Sequence, residues 1–167
     1  MTAAFYVASA VAVASTALVV TRRSAMHALL YLVVSFLAVA LVFLAMGAPF
    51  LAALEVILYA GAIMVLFVFV VMLLNLGPTA VSGEGRLLAR GMWSGPAVLA
   101  AVLLVELAWA LGGPGLPPRG AQPVGPKQVG IALFGPYILG VEIASFLLLA
   151  GLVGACHLGR AAGREGT

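Results

Sequence analysis

FLAALEVILYAGAIMVLFVFVVMLLNL, the stretch Phe50–Leu76, decides the fold class of this chain. It is almost entirely apolar and holds a single charged residue, Glu55. As an α-helix it would be about 40 Å long, at about 1.5 Å per residue. This length exceeds the roughly 30 Å hydrocarbon core of a bilayer. The stretch therefore predicts a membrane-spanning helix that tilts, bends or projects beyond the hydrocarbon.

Further long apolar runs lie on both sides of this stretch, and short polar or Gly/Pro-rich segments separate them. Together they predict an all-α integral membrane protein with five transmembrane helices in a single membrane domain, 1–167. The predicted helices are 3–20, 25–46, 50–76, 92–111 and 131–158. The lipid bilayer is accordingly a predicted partner, and we expect no nucleic-acid binding.

The composition supports the same class. Of 167 residues, 65% are hydrophobic and only 8% are charged, whereas a soluble domain carries about 25% charged residues. This excludes an ordinary soluble enzyme, a nucleic-acid-binding domain and a disordered segment. One cysteine, Cys156, cannot form a disulfide framework within the chain.

The distribution of Lys and Arg predicts the orientation. Cytoplasmic loops of membrane proteins carry an excess of basic residues. If the N-terminus is outside, most of the basic residues lie inside and few lie outside. The inner set is Arg22, Arg23, Arg86, Arg90, Arg160 and Arg164, and the outer set is Arg119 and Lys127. We therefore expect the N-terminus outside, in the periplasm, and the C-terminus inside.

Three acidic residues lie inside the predicted spans: Glu55, Glu106 and Glu142. A carboxylate near the bilayer centre costs about 2.5–3.5 kcal/mol on insertion scales, so each needs a partner, a proton or a wet cavity. We place Glu142 nearest the midplane and Glu106 close enough to the outer face to reach interfacial water. The acids either contribute to a proton path or subunit contact, or hold helices together by hydrogen bonds.

Tyr59 and Gly61 follow Glu55 on the same predicted helix. Tyr59 is four residues after Glu55, which places both on one helical face. Its phenol can position or relay a proton, or it is an ordinary buried tyrosine. Gly61 lies between two alanines, where either a second helix approaches closely or a π-bulge forms. Removing such a bulge would rotate Met64, Val65 and the residues beyond by about 100°.

Two histidines on different helices, His27 and His157, allow a third hypothesis, a haem held between them. Both lie toward the ends of their predicted spans, where interfacial histidines are common. No metal-binding spacing, phosphate-binding loop or nucleophile motif is present in the sequence.

The third run carries a specific resemblance. Its pattern YAGA-x-MVLF at 59–67, followed by VMLLN at 71–75, is similar to the signature helix of the subunit J family of respiratory complex I, the proton-pumping NADH:quinone oxidoreductase. HALL at 27–30 and GAPF at 47–50 also fit, as do LF at 133–134, EIAS at 142–145 and LLL at 147–149. The start of the fifth run departs from the family pattern at Gly135-Pro136, where two helix breakers occur.

The resemblance implies a bacterial inner-membrane subunit of a hetero-oligomer, packed against subunits of the A, K, H and N types. It implies no catalytic site and no cofactor in this chain, since other subunits bind NADH, FMN, iron–sulfur clusters and quinone. It also implies a π-bulge at Gly61 and a position for Tyr59 near buried acids of the K-type subunit.

In the family, this helix converts between bulged and α forms along the path from the quinone site to the proton pumps. The predicted proton-path or gating residues are Glu55, Tyr59, Gly61, Met64, Val65 and Glu142. The alternative is a stand-alone small transporter or channel, which would be stable alone or as a homo-oligomer.

Overall fold

The computed structural model describes residues 2–22, 24–73, 90–112 and 123–162. Most residues in these ranges are helical, and none of them forms a β-strand. Five helices are long and apolar enough to cross a membrane: Ala3–Thr21, Ala25–Ala45, Pro49–Val71, Trp93–Gly112 and Ile138–Gly159. The predicted all-α class and the five spans are therefore confirmed. The predicted end of the third helix at 76 lies outside the described residues. The predicted orientation of the chain in the membrane stays a prediction.

The first two helices, α1 (Thr2–Thr21) and α2 (Ala25–Ala45), pack against each other. A polar contact joins them within their apolar interface, since the Thr16 and Ser35 hydroxyl oxygens are 2.8 Å apart. Near the link between the helices, the Arg22 guanidinium lies 5.3 Å from the centroid of the Tyr31 ring. This is the geometry of a cation–π interaction, and it fixes the end of α1 on the start of α2.

A glycine turn joins α2 to the third helix. Gly47 has a φ of 80°, in the left-handed region that favours glycine. The Ala48 N–H donates to the Phe43 carbonyl at 3.0 Å, as in a helix-ending Schellman motif. Pro49 follows as the first residue of the next helix, where its missing N–H costs nothing. One of the short Gly/Pro-rich segments that separate the apolar runs, Gly47-Ala48-Pro49, is thus a turn between two helices.

The third helix, α3, has three parts that follow one another without a loop. Pro49–Leu54 is α-helical, Glu55–Ile63 is π-helical and Met64–Leu73 is α-helical again. The fourth helix, α4, is Arg90–Gly112. A small core of Val11, Val34, Ala38 and Leu103 joins α1, α2 and α4. Because α2 contacts α1, α3 and α4, it is the central helix of this part of the chain.

The prediction of one continuous helix over 131–158 was wrong. A short helix, α5, is Pro126–Phe134, and a separate helix, α6, is Ile138–Ala162. Pro136 has no N–H, and it disfavours the α conformation of the residue before it. A Cβ on Gly135 would lie 2.7 Å from the Ile131 carbonyl oxygen, so the bend also requires glycine at this position.

The chain divides into two compact units, Met1–Val124 and Gly125–Thr167. The first holds α1 to α4, and the Val124 N–H donates to the Gly47 carbonyl at 3.0 Å within it. The second holds α5 and α6. At its start, the Gly125 N–H donates to the side-chain oxygen of Gln128 at 3.3 Å, which caps α5.

Candidate functional site

The π-helical segment of α3 is the candidate site, and its main-chain hydrogen bonds define it. In a π-helix each N–H bonds to the carbonyl five residues earlier rather than four. At the end of the segment, the Met64 N–H donates to the Tyr59 carbonyl in this way. The segment spans 9 residues, whereas most π-helical elements are single-turn bulges, often at functional sites. The irregularity therefore includes Gly61 and begins six positions before it, at Glu55.

Gly61 fits this backbone because it has no side chain. A Cβ built on Gly61 would lie 3.3 Å from the Val56 carbonyl oxygen. That oxygen belongs to the main chain, so it yields only if the helix itself deforms. The residue that precedes Gly61 by five positions is therefore the one that a larger side chain would press against.

Tyr59 lies on the part of the segment that faces α2. Its ring centroid is 5.3 Å from that of Phe36, with the two planes at 54°, within the range of favourable aromatic pairs. The Tyr59 side chain is 44% exposed. Its hydroxyl has no hydrogen bond to any residue that the structure describes. The ring thus packs against α2, while the hydroxyl is not used by the described residues.

Met64 and Val65 begin the regular helix beyond the π-helical segment, and their environments are opposite. The Met64 side chain is 1% exposed, whereas Val65 is 64% exposed. Conversion of the segment to an α-helix would rotate both residues relative to the preceding part of α3. Such a rotation would move a buried thioether side chain and an outward-facing valine to new positions.

The start of the segment borders an apolar cavity of about 470 Å³, lined by residues of α2, α3 and α4. Val56 contributes to its wall, together with Ala52 and Ala53 from the preceding turn. Glu55, the first residue of the segment, is half-buried. Glu55 itself does not line the cavity, whereas its neighbour Val56 does.

Glu142 belongs to the second unit, whereas Glu55 and Tyr59 belong to the first. It lies four residues into α6, about 6 Å from the start of that helix at about 1.5 Å per residue. The sequence placed it near the middle of a longer helix, and the bend at Gly135 changes this. Its side chain is exposed, and the Ser145 hydroxyl donates to its main-chain carbonyl at 2.7 Å.

Two features of the first unit were missed from sequence. Phe36 supports the Tyr59 ring, and no motif in α2 indicates this contact. The Oε2 atom of Glu106 is buried without a hydrogen-bond partner among the described residues, and the sequence does not indicate this. The described residues contain no group of three or more His, Cys, Asp or Glu side chains placed to hold a metal ion.

The structure defines the class of this protein as a multi-span α-helical membrane protein with an irregular third helix. Residues 15–158 match the family model described as NADH-ubiquinone/plastoquinone oxidoreductase chain 6. The chain belongs to this family, whose bacterial members are membrane subunits of the NADH-quinone oxidoreductase, respiratory complex I. The predicted resemblance and the coarse function are therefore confirmed, and the alternative of a stand-alone transporter is not favoured.

Curated relatives agree along nearly the whole chain. It is 56% identical over 161 residues to the NADH-quinone oxidoreductase subunit J of Pseudomonas aeruginosa, covering 94% of this chain and 95% of the relative. It is 52% identical over 157 residues to that of Escherichia coli, covering 94% and 85%. It is 44% identical over 156 residues to that of Buchnera aphidicola from Schizaphis graminum, covering 93% and 96%. Subunits of this kind imply a hetero-oligomer.

Proposed function

We propose that α3 is a conformational gate that couples quinone reduction to proton translocation in the assembled oxidoreductase. The observation that carries the proposal is the π-helical backbone of Glu55–Ile63, with Gly61 placed against the Val56 carbonyl. Conversion of this segment to an α-helix rotates Met64 and Val65 and changes the surroundings of Glu55 and Tyr59. Glu142 contributes to the proton path from a separate position on α6.

In this proposal the chain has no catalytic site and binds no cofactor itself. NADH, FMN, iron–sulfur clusters and quinone are bound by other subunits, and this chain contacts subunits of the A, K, H and N types. The complex lies in the inner membrane of a bacterium, with the N-terminus of this chain outside. Tyr59, which is 44% exposed, supports a contact with a neighbouring subunit, because a polar group within a span needs a partner.

The test replaces Gly61 with residues that have a Cβ. Gly61→Ala places a methyl group in tight contact with the Val56 carbonyl, and Gly61→Val adds branching at the same atom. Overpacking of this kind costs about 1–3 kcal/mol, so we expect the π form to be disfavoured about five- to 140-fold by Gly61→Val. NADH-driven proton pumping in membrane vesicles should fall, with Gly61→Ala between Gly61→Val and the unmodified chain.

Two controls make the result specific. NADH oxidation by a soluble electron acceptor should be unchanged, because that reaction does not require the membrane subunits to change shape. Ala62→Val adds bulk at the neighbouring exposed position and should impair pumping less than Gly61→Val. Normal coupled pumping in an assembled Gly61→Val complex would contradict the gate.

A further inference from the structure

Tyr31 of α2 and Gly95 of α4 bring these two helices into close contact. The Tyr31 side chain is only 4% exposed, and the Arg22 guanidinium lies over its ring. A Cβ built on Gly95 would overlap the Tyr31 hydroxyl oxygen, and it would lie 3.2 Å from the Cζ atom of the ring. The hydroxyl therefore occupies the space that a side chain at position 95 would need.

This contact differs in kind from the close contacts at Gly61 and Gly135. The atoms nearest to a Cβ at those two positions are main-chain atoms a few residues earlier in the chain, so the two glycines affect local backbone shape. At Gly95 the nearest atoms belong to a side chain of another helix. A tyrosine has only two side-chain torsions, and the burial of Tyr31 leaves its ring little room to rotate away. A larger residue at position 95 would therefore separate α2 from α4.

The apolar cavity of about 470 Å³ lies further along the same two helices. Its lining begins at Leu37 on α2 and at Ala100 on α4, six positions after Tyr31 and five positions after Gly95. At about 1.5 Å per residue, these steps correspond to about 9 Å and about 7.5 Å along the two helices. Val56 of the π-helical segment also lines the cavity. The separation of α2 and α4 therefore affects the space beside that segment.

We propose that the Tyr31–Gly95 contact is a built-in spacer, which fixes the separation of α2 and α4 and thereby the width of this cavity. The distance between two packed helices depends on the side chains at their contact. Protein interiors are close-packed, so an added methyl group at such a contact moves its neighbours. Alanine at position 95 should hold the two helices further apart. Removal of the tyrosine hydroxyl should then let them approach again.

The separation can be measured with a series of apolar bifunctional thiol reagents of increasing length, in membranes that hold the whole complex. The natural Cys156 is first replaced by serine, which leaves a chain without cysteine. Leu41→Cys and Leu104→Cys then place one thiol on the α2 wall of the cavity and one on its α4 wall. We expect the reagent that cross-links them most efficiently to be longer in Gly95→Ala than in the otherwise identical chain with glycine at 95.

Two matched variants make the result specific. Gly112→Ala is the same chemical change on α4, but its Cβ would meet no other described part of the chain within 4 Å, so the optimal reagent should stay the same. Tyr31→Phe removes only the hydroxyl, and in the Gly95→Ala chain it should return the optimum toward that of the chain with glycine. If Gly95→Ala alone does not assemble, recovery of assembly by Tyr31→Phe supports the same conclusion.

Two outcomes would overturn the proposal. The same optimal reagent with glycine and with alanine at 95 would show that the Tyr31 ring rotates away without moving either helix. A longer optimum, or a loss of assembly, that Tyr31→Phe does not reverse would show that the hydroxyl does not set the separation. These outcomes do not depend on conversion of the π-helical segment, so normal pumping in Gly61→Val would leave the expectations unchanged.

Discussion

Gly61 and Tyr59 lie two positions apart, but they contribute to the π-helical segment in different ways. Gly61 contributes because it has no side chain: a Cβ at this position would lie 3.3 Å from the Val56 carbonyl oxygen. Tyr59 acts through two groups: its main-chain carbonyl accepts the Met64 N–H, and its ring packs on Phe36. Only the hydroxyl of Tyr59 is not used within the described residues. Substitutions at the two positions therefore separate backbone shape from side-chain chemistry.

We expect Tyr59→Phe to impair proton pumping less than Gly61→Val. The phenylalanine ring keeps the contact with Phe36, and the main-chain hydrogen bond from Met64 is unaffected. The change removes one hydroxyl, and a hydrogen bond contributes about 0.5–1.5 kcal/mol, so the loss of rate should stay below about tenfold. The measurement is quenching of a pH-sensitive dye by NADH-energised vesicles. Equal impairment by both variants would show that the hydroxyl, rather than the backbone, limits the coupling.

At the scale of elements, the sequence predicted the membrane spans but not the details of two irregular places. These are the π-helical segment of α3 and the bend between α5 and α6. The apolar runs predicted the spans because bilayer thickness fixes their length and composition. Run length says little about hydrogen-bond pattern, so the third run indicated a possible bulge at Gly61 but not a π-helix that begins at Glu55. The bend at Gly135 was visible as two breakers, but a hydrophobic run alone does not show whether a membrane helix kinks or ends there.

The bend between α5 and α6 gives a prediction with its own matched control. Gly135→Ala should destabilise the second unit, because its Cβ would lie 2.7 Å from the Ile131 carbonyl oxygen. Gly140→Ala makes the same chemical change inside α6, where no described atom lies within 4 Å of the new Cβ. Alanine is favoured over glycine in helices by about 0.5–1 kcal/mol, so this variant should be neutral or stabilising.

The measurement is the temperature at which the detergent-solubilised chain aggregates, followed by size-exclusion chromatography. Gly135→Ala should lower this temperature, and Gly140→Ala should leave it unchanged or raise it. Equal aggregation temperatures for the two variants would mean that the close approach at Gly135 is relieved without cost.

For the whole molecule, the distribution of burial agrees with a subunit rather than a self-contained bundle. The central span Ala25–Ala45 has five buried residues, Tyr31, Val34, Ser35, Ala38 and Ala40, but Ile138–Gly159 has none. The exposed apolar surface was predictable from composition, since so few charged residues cannot cover a water-soluble surface. The partners of individual acids were not predictable, because Glu55, Glu106 and Glu142 look alike in sequence. Only the structure shows that one carboxyl oxygen of Glu106 is buried while the Glu142 side chain is exposed.

This surface predicts that the chain depends on its neighbours for stability. When it is affinity-purified in mild detergent from cells that make the whole complex, we expect other hydrophobic subunits to copurify with it. When it is produced alone, its exposed α6 should leave it prone to aggregation and proteolysis. The comparison uses the amount of intact, monodisperse chain recovered from the two sources. A chain produced alone that is as stable as the assembled one, as a monomer or a homo-oligomer, would contradict the prediction. The apolar surface of α6 would then face lipid and not other subunits.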